Sequence, residues 1–489
     1  MSADRAKSVQ DYIDETPRWA DGTLAPAAPL TTMQWRIWGL ATAGKFFEGL
    51  VVFMTGVALP LIAVEFGLDA TQKGMVGAAS LFGILVGATA LGGLADRLGR
   101  KSVFIAEMAI FIAFLVLVTL STTFPMLLIC LFGMGLALGC DYPTAHLMIS
   151  ESIASQARGR LVLSAFAFQA VGALVGTAVG LLILDSNMAI NDWRWMYATA
   201  IVPAALVFVG RFFVPQSGHW LADKGSLGEA AREVELLLRR KPQYPHKVVL
   251  SAVHAGRRTR AGFATLFSRQ HRRATILAAV PWFLQDLGTY GIGIFTPIIL
   301  ATAVGTGNPH ARNLAEIVHN DILGARGAAI IDTLLIVGIV LAVFLVDRVG
   351  RIRLQVVGFV GCAAGLFLAS LSTAFTGSTA MIFIFAGFML FNLMTNLGPN
   401  AMTYLLAGEV FPTSVRGLGA GFAASFAKIG AVTTAFLFPI LLMDLGTNPL
   451  LYMLIGTSLL GALVTWKFAI ETTGLNLETI GRKTAESLD

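Results

Sequence analysis

Six candidates stand out among the ionisable residues that this 489-residue chain carries inside otherwise apolar stretches: Lys45, Glu48, Glu107, Asp141, Asp286 and Lys428. A charge in hydrocarbon costs at least about 2.5 kcal/mol, so acids and bases there face a protein interior and mark the path of a proton or a charged solute. Lys45 and Glu48 are three residues apart, which puts them on one helix face where they can pair. Glu107 lies near the end of its stretch and is expected to make a structural contact. Trp282, Asp286 and Tyr290 recur at i, i+4, so two aromatics flank a carboxylate on one stripe. Gly288, Gly291, Gly293 and Pro297 predict a loosened helix there, able to present backbone groups. In Gly139-Cys140-Asp141-Tyr142-Pro143 a carboxylate and a phenol precede a residue without an amide proton, which predicts a bend. Asn396, Asn400 and Tyr404 share a face and Gln169 supplies a further amide; such groups orient a polar solute or tie helices together.

Only membrane helices can position these residues. Hydrophobic residues make up 56% of the chain and charged residues 13%, against roughly 25% charged in soluble domains. Apolar runs of the roughly 20 residues that a bilayer requires recur near 36–64, 72–95, 101–121, 124–150, 160–184 and 194–214. After a polar stretch they recur near 273–303, 324–346, 354–374, 379–408, 418–442 and 449–470. The fold class is therefore an all-α membrane protein with twelve transmembrane helices. Lys and Arg gather in alternate loops, at Arg97, Arg100 and Lys101, at Arg158 and Arg160, at Arg348, Arg351 and Arg353, and at Arg416. The positive-inside rule assigns those loops and both termini to the cytoplasm, and it accounts for the formal charge of +6 without an anionic partner such as nucleic acid. Expected boundaries are a cytoplasmic tail over 1–35, a first bundle over 36–214, a cytoplasmic linker over 215–272, a second bundle over 273–470 and a tail over 471–489. Within the linker, Leu227–Leu238 has one apolar face, as in a helix at the membrane boundary.

The two bundles repeat one unit. Gly92-Gly-Leu-Ala-Asp96-Arg97-Leu-Gly99-Arg100-Lys101 follows the second run, and Asp347-Arg348-Val-Gly350-Arg351 follows the eighth. Glu151 precedes Arg158-Gly159 after the fourth run at the spacing by which Glu409 precedes Arg416-Gly417 after the tenth. Glycine permits a tight turn, while the acids and arginines can form a small ion-pair cluster that holds one conformation. The first motif resembles the signature loop of the major facilitator superfamily, over roughly residues 35–480. The resemblance implies two six-helix bundles rocking about a central site, with Gly92, Asp96, Arg97, Gly99, Arg100, Glu151, Arg158, Asp347, Arg348, Arg351, Glu409 and Arg416 as a conformational gate.

Asp141-Tyr142-Pro143, Gln169, Trp282 with Asp286 and Tyr290, Gly398-Pro399-Asn400 and Glu409-Val-Phe-Pro412-Thr413 followed by Lys428 resemble the motifs of the phosphate:proton symporters. That resemblance implies Tyr142, Gln169, Trp282, Asp286, Tyr290, Asn400 and Lys428 around a substrate, with Asp141 on a proton route. The first span departs from the symporters' Asp-x-x-Asp, carrying Lys45-Phe46-Phe47-Glu48 instead. Glu151, Arg158, Glu409, Arg416 and Glu471-Thr-Thr-Gly474 are similar to the wider sugar-porter group, whose Pro-Glu-Ser-Pro-Arg is here Pro215-Gln-Ser-Gly-His219.

The expected activity is proton-coupled symport of a small anion, phosphate or organic, with Glu48, Asp141 and Lys45 handling the proton. A porter of sugar or another neutral metabolite, or a nutrient receptor that does not transport, are the alternatives. No HExxH pair, GxSxG elbow or nucleotide loop points to an enzyme. Cys130, Cys140 and Cys362 lack metal or redox spacing, so no metal or cofactor is expected. The partners are the substrate, protons and a cell membrane lipid bilayer, with the chain acting as a monomer.

Overall fold

The computed structural model describes residues 7–16, 30–91, 94–186, 189–240, 245, 247–250, 263–304, 314–412 and 415–473. Its spanning helices are α1 (Thr32–Phe66), α2 (Ala70–Val86), α3 (Arg100–Thr119), α4 (Phe124–Ser152), α5 (Ser155–Ser186) and α6, which runs as Asp192–Thr199 and Ile201–Arg211. The second set is α7 (Arg272–Val304), α8 (Leu314–Val349), α9 (Arg351–Ser370), α10 as Gly377–Leu397 and Pro399–Glu409, α11 (Arg416–Leu445) and α12 (Thr447–Lys467). Among the described residues eleven helices are long and apolar enough to cross a bilayer. The twelfth, α2, continues into a π-helical turn over Gly87–Leu91. The chain is thus a multi-pass, all-helical membrane protein.

Local chemistry explains where the helices start and turn. Thr31 and Asp69 accept the backbone N–H of Gln34 and Gln72, whose side chains return a bond to the cap backbone, so α1 and α2 each begin on a reciprocal cap. Both α4, through Pro143, and α7, through Pro281 and Pro297, are continuous helices, so the break considered for α7 does not occur there. The break falls instead in α10, where Gly398 (φ −118°, ψ −95°) leads into Pro399 at the first position of the second segment. Helix start is the one place where proline's missing N–H costs nothing.

Small residues bring the helices together. A Cβ on Gly49 would lie 2.0 Å from the carbonyl oxygen of Gln169, and one on Gly172 would lie 2.0 Å from that of Phe46. The backbones of α1 and α5 are therefore in direct contact, as small-residue seams allow where no hydrophobic drive operates. The bundles meet along three helix pairs, α2 with α11, α5 with α8 and α1 with α7.

The sequence repeat is a structural repeat. Gly99 (φ 95°, ψ 147°) and Gly350 (φ 95°, ψ 153°) make the same turn into α3 and α9. Arg100 pairs with Glu151 (3.0 Å) and bonds the Ala95 carbonyl, as Arg351 pairs with Glu409 (3.2 Å) and bonds the Val346 carbonyl. Arg158 reaches the Ile153 carbonyl and Arg416 that of Phe411, each five residues back. These bonds lie inside one half or the other. Among the contacts that cross between halves on this face is Arg160 with Asp347, 3.4 Å apart. Gly92 and the side chain of Asp96 lie outside the described residues, Arg97 is exposed, and Arg348 occupies the last turn of α8.

Both described chain ends lie on the gate-bearing face. The helix Val9–Asp14 caps α5, where Asp14 accepts the N–H and hydroxyl of Ser155. The apolar face of Leu227–Leu238 is buried in a cluster with Val9, Ile13 and Ile37.

Candidate functional site

At the centre of the molecule Lys428 of α11 reaches across to the opposite half. Its ammonium donates to the Tyr290 hydroxyl (2.6 Å) and to Glu48 (3.2 Å), and stands 3.5 Å from Asp286 Oδ2. Glu48 accepts from Lys45 as well, at 2.5 Å, and from the Tyr290 hydroxyl at 3.1 Å. Gln169 donates its amide N–H to the same hydroxyl at 3.0 Å. Four helices, α1, α5, α7 and α11, thus converge on one phenol, three of them with ionisable groups. Asp286 Oδ2 takes no hydrogen bond from any described residue.

A cavity of about 20 Å³ adjoins this network, lined among others by Lys45, Gln169, Trp282, Asp286, Asn400 and Lys428. That is room for about one water molecule. Asn400 is held by Gln285, which donates to its Oδ1 (3.1 Å), and itself donates to Asn396 (2.7 Å). Trp282 meets Tyr404 edge to face, and Tyr404 stacks on Phe166 of the other half at 4.5 Å. The bundles are also joined at both faces, by Arg160 and Asp347 on one and by Asp185 and Arg326 (2.8 Å) on the other. Contacts therefore join the halves on both sides of the site.

A second buried cluster lies wholly inside the first half. The guanidinium of Arg211, with no exposed surface, bonds Glu107 (2.8 Å) and Asp141 (2.6 Å) and lies over the Phe104 ring. A Cβ on Gly44 would overlap Asp141, 1.4 Å from its Oδ2. That carboxylate therefore packs on the α1 backbone one residue before Lys45, and the two clusters adjoin.

The structure gathers seven of the expected site residues into the central cluster: Lys45, Glu48, Gln169, Trp282, Asp286, Tyr290 and Lys428, with Asn400 at the cavity rim. Glu107 makes the structural contact expected of it. Asp141 stands apart from the cavity, against Arg211, while the side chain of Tyr142 lies outside the described residues. Sequence reasoning missed Arg211, because an arginine in the last turn of an apolar run reads as a boundary charge. Two buried acids, Glu107 and Asp141, without a cation of their own were the available signal. It also missed His146, whose Nδ1 lies 3.2 Å from the Tyr404 hydroxyl across the bundle seam, and Asp332.

The pattern of the family described as sugar (and other) transporter matches residues 39–483. The glucose transporter GlcP of Staphylococcus epidermidis is 28% identical over 426 residues, 86% of this chain and 91% of that one. A protein of Oryza sativa subsp. japonica named "Probable inorganic phosphate transporter 1-12" is 27% identical over 445 residues, 82% and 81% of the two chains. Among solved structures, the xylose transporter XylE of Escherichia coli in a partially occluded inward open conformation superposes with a TM-score of 0.74 at 19% identity, covering 91% of this chain and 100% of that one. The proton:xylose symporter XylE bound to 6-bromo-6-deoxy-D-glucose gives 0.71 at 20% identity, covering 92% and 99%. The chain has the fold of these solved structures and belongs to the sugar (and other) transporter family, whose members are transporters and not enzymes.

Proposed function

We propose that this chain is a proton-coupled symporter of a small anionic metabolite, phosphate or an organic anion, working by alternating access. The observation that carries this reading is Lys428, a cation on the second half whose counter-ions are Glu48 on the first half and Asp286 on its own. When the halves rock apart Lys428 leaves Glu48, and an anionic substrate takes the vacated place. Trp282, Asn400 and Gln169 then orient the substrate, with Tyr142 and Tyr290 as phenolic partners.

Charge balance supplies the coupling. Lys45 and Lys428 against Glu48 and Asp286 sum to zero when both acids are ionised, so an added proton leaves one positive charge for an anion to neutralise. Arg211 faces two acids, Glu107 and Asp141, so this trio is neutral with one proton aboard. Asp141 passes that proton along the α1 face toward Lys45 and Glu48, and the gate motifs hold each half's loops while the Arg160–Asp347 contact opens and closes.

The balanced site also favours a second reading, in which the substrate is a neutral sugar whose hydroxyl donates to Asp286 Oδ2, an atom that takes no hydrogen bond from the described residues. The name of GlcP supports it. Proteoliposomes with an imposed proton gradient separate the two when phosphate, organic carboxylates, aromatic acids and sugars are offered in turn. The anion reading expects gradient-driven uptake confined to an anion, and at least tenfold less of it in Glu48→Gln and in Asp141→Asn. Uptake confined to neutral sugars overturns the anion, and full gradient-driven uptake by both variants overturns the proton route.

A further inference from the structure

The seam between α5 and α8 carries three polar contacts in a row. Arg160 meets Asp347 at the gate-bearing face and Asp185 meets Arg326 at the opposite one, all four exposed. Between them the Thr177 hydroxyl lies 2.9 Å from Asp332 Oδ2, and the two residues are 1% and 2% exposed. At about 1.5 Å per helical residue, Asp332 lies about 22 Å along α8 from Asp347 and about 9 Å from Arg326. Thr177 likewise lies about 12 Å beyond Gln169 along α5. Asp332 is thus buried between the central site and the far face, on a boundary that must part whenever that face opens.

Asp332 is buried with hydrogen-bond donors beside it but no cation. Asn392 donates to Oδ1 at 3.2 Å. Thr177 has a single proton, and its oxygen lies 3.1 Å from the Ala173 carbonyl, which can only accept. Thr177 donates that proton to Oδ2 at 2.9 Å, so two neutral donors are all that the described residues offer the carboxyl. No described cation pairs with Asp332, and the charged groups on neighbouring helices are engaged elsewhere. On α5, Asp185 holds Arg326 of α8 itself. On α1 and α7, Glu48, Asp286 and Tyr290 surround Lys428. On α9 and α10, Arg351 and Glu409 pair at the gate-bearing end, and α10 offers Asp332 only the neutral Asn392. On α8, the buried Asp321 lies three turns nearer the far face. A buried carboxylate with no cation is disfavoured against its neutral form.

We propose that Asp332 is a second proton-binding site, distinct from the central cluster, which holds its proton while the α5–α8 seam is closed and releases it to water when the far face opens. Separation from Thr177 exposes the carboxyl, and water then solvates its ionised form. By linkage, the state that binds more protons is favoured at low pH, so acid closes the far face and alkali opens it. This inference rests on the alternating-access reading for its consequence, but protonation of Asp332 is measurable without transport.

The test uses the full chain in lipid nanodiscs. Infrared spectra are recorded across pH for the unmodified protein and for Asp332→Asn, following the carbonyl stretch of neutral carboxylic acids. Spin labels at Ser186→Cys and His319→Cys, both exposed near the far face, report its opening once the three buried native cysteines are replaced. An acid carbonyl band that fades as pH rises and is missing from Asp332→Asn supports the site. So does a longer label distance at high pH that Asp332→Asn fails to show. One linked proton changes the open-to-closed ratio by up to about tenfold per pH unit, and the variant is expected to lose that slope. An unchanged band or an unchanged slope in Asp332→Asn overturns the proposal. Should that variant not fold, Thr177→Val serves: removing a donor to the ionised carboxylate moves the loss of the band to higher pH, and a band that does not move overturns the proposal. If no compound is taken up while the band behaves as described, the transport reading fails and the proton site stands.

Discussion

Two buried charge clusters adjoin in this molecule and differ in one respect. Arg211, Glu107 and Asp141 all belong to the first bundle, whereas Lys428 and Glu48 belong to opposite bundles. An ion pair inside a rigid body is unaffected when the bodies rock, so under the proposed alternating access the first cluster keeps its geometry. The second must break and re-form. Burying charge is costly in both places, yet only the second returns that energy to conformational change.

Breaking the comparison starts with Arg211→Met, the largest expected effect. It leaves Glu107 and Asp141 in the core without their cation, and loss of one partner from a buried pair costs about 3–5 kcal/mol. Thermal unfolding in detergent should show a fall in Tm, and a Tm equal to that of the unmodified protein would remove Arg211 from its structural role. Lys428→Met is expected to do the opposite, lowering gradient-driven uptake by about 100-fold, which is about 2.7 kcal/mol, with a smaller change in Tm. A collapse of Tm with no selective effect on uptake would erase the distinction. Gly44→Ala pushes on the boundary between the clusters. The new methyl displaces the Asp141 carboxylate from α1, at a cost typical of overpacking, about 1–3 kcal/mol, and proton-driven uptake should fall by about tenfold or more while substrate counterflow persists. Equal loss of both would mean that the methyl disturbs the fold rather than the proton route.

The smallest effect separates the two copies of the gate. The Gln216 carbonyl accepts the N–H of Lys101, and at the equivalent place Glu471 accepts those of Arg351 and Ile352. Burial works to raise the Glu471 carboxyl, but bonds from the Thr473 hydroxyl and from those backbone amides outweigh it and hold the carboxyl below the usual glutamate range. A depressed group stabilises the native state above its unfolded value and loses that contribution as pH falls. Glu471→Gln should therefore remove a few tenths to about 1 kcal/mol at neutral pH and nothing in acid, read as a Tm difference that closes as pH drops.

Much of this could be read from residue order. Twelve apolar runs, the paired loops at Gly99 and Gly350 and the isolated charges in the runs specify the bundles and most of the central cluster, because a membrane tolerates few polar residues and each one needs a partner. Lys45 with Glu48 was legible from spacing alone. The partners of Lys428 were not, since α1, α7 and α11 are brought together by packing that no local pattern encodes. Arg211 was hidden by its place at a helix end, and a break was sought in α7, where glycine is plentiful but the helix is continuous, rather than at Gly398. Asp332 lies in an apolar run without any motif around it, so only the crossing of α5 and α8 gives it meaning.

The cavity of about 20 Å³ has a consequence for measurement. A solute larger than water cannot enter the closed form, so binding must draw on the open fraction of molecules, and the apparent dissociation constant is the intrinsic one divided by that fraction. Conditions or substitutions that prise the halves apart will register as gains in affinity even when no residue touching the solute has changed.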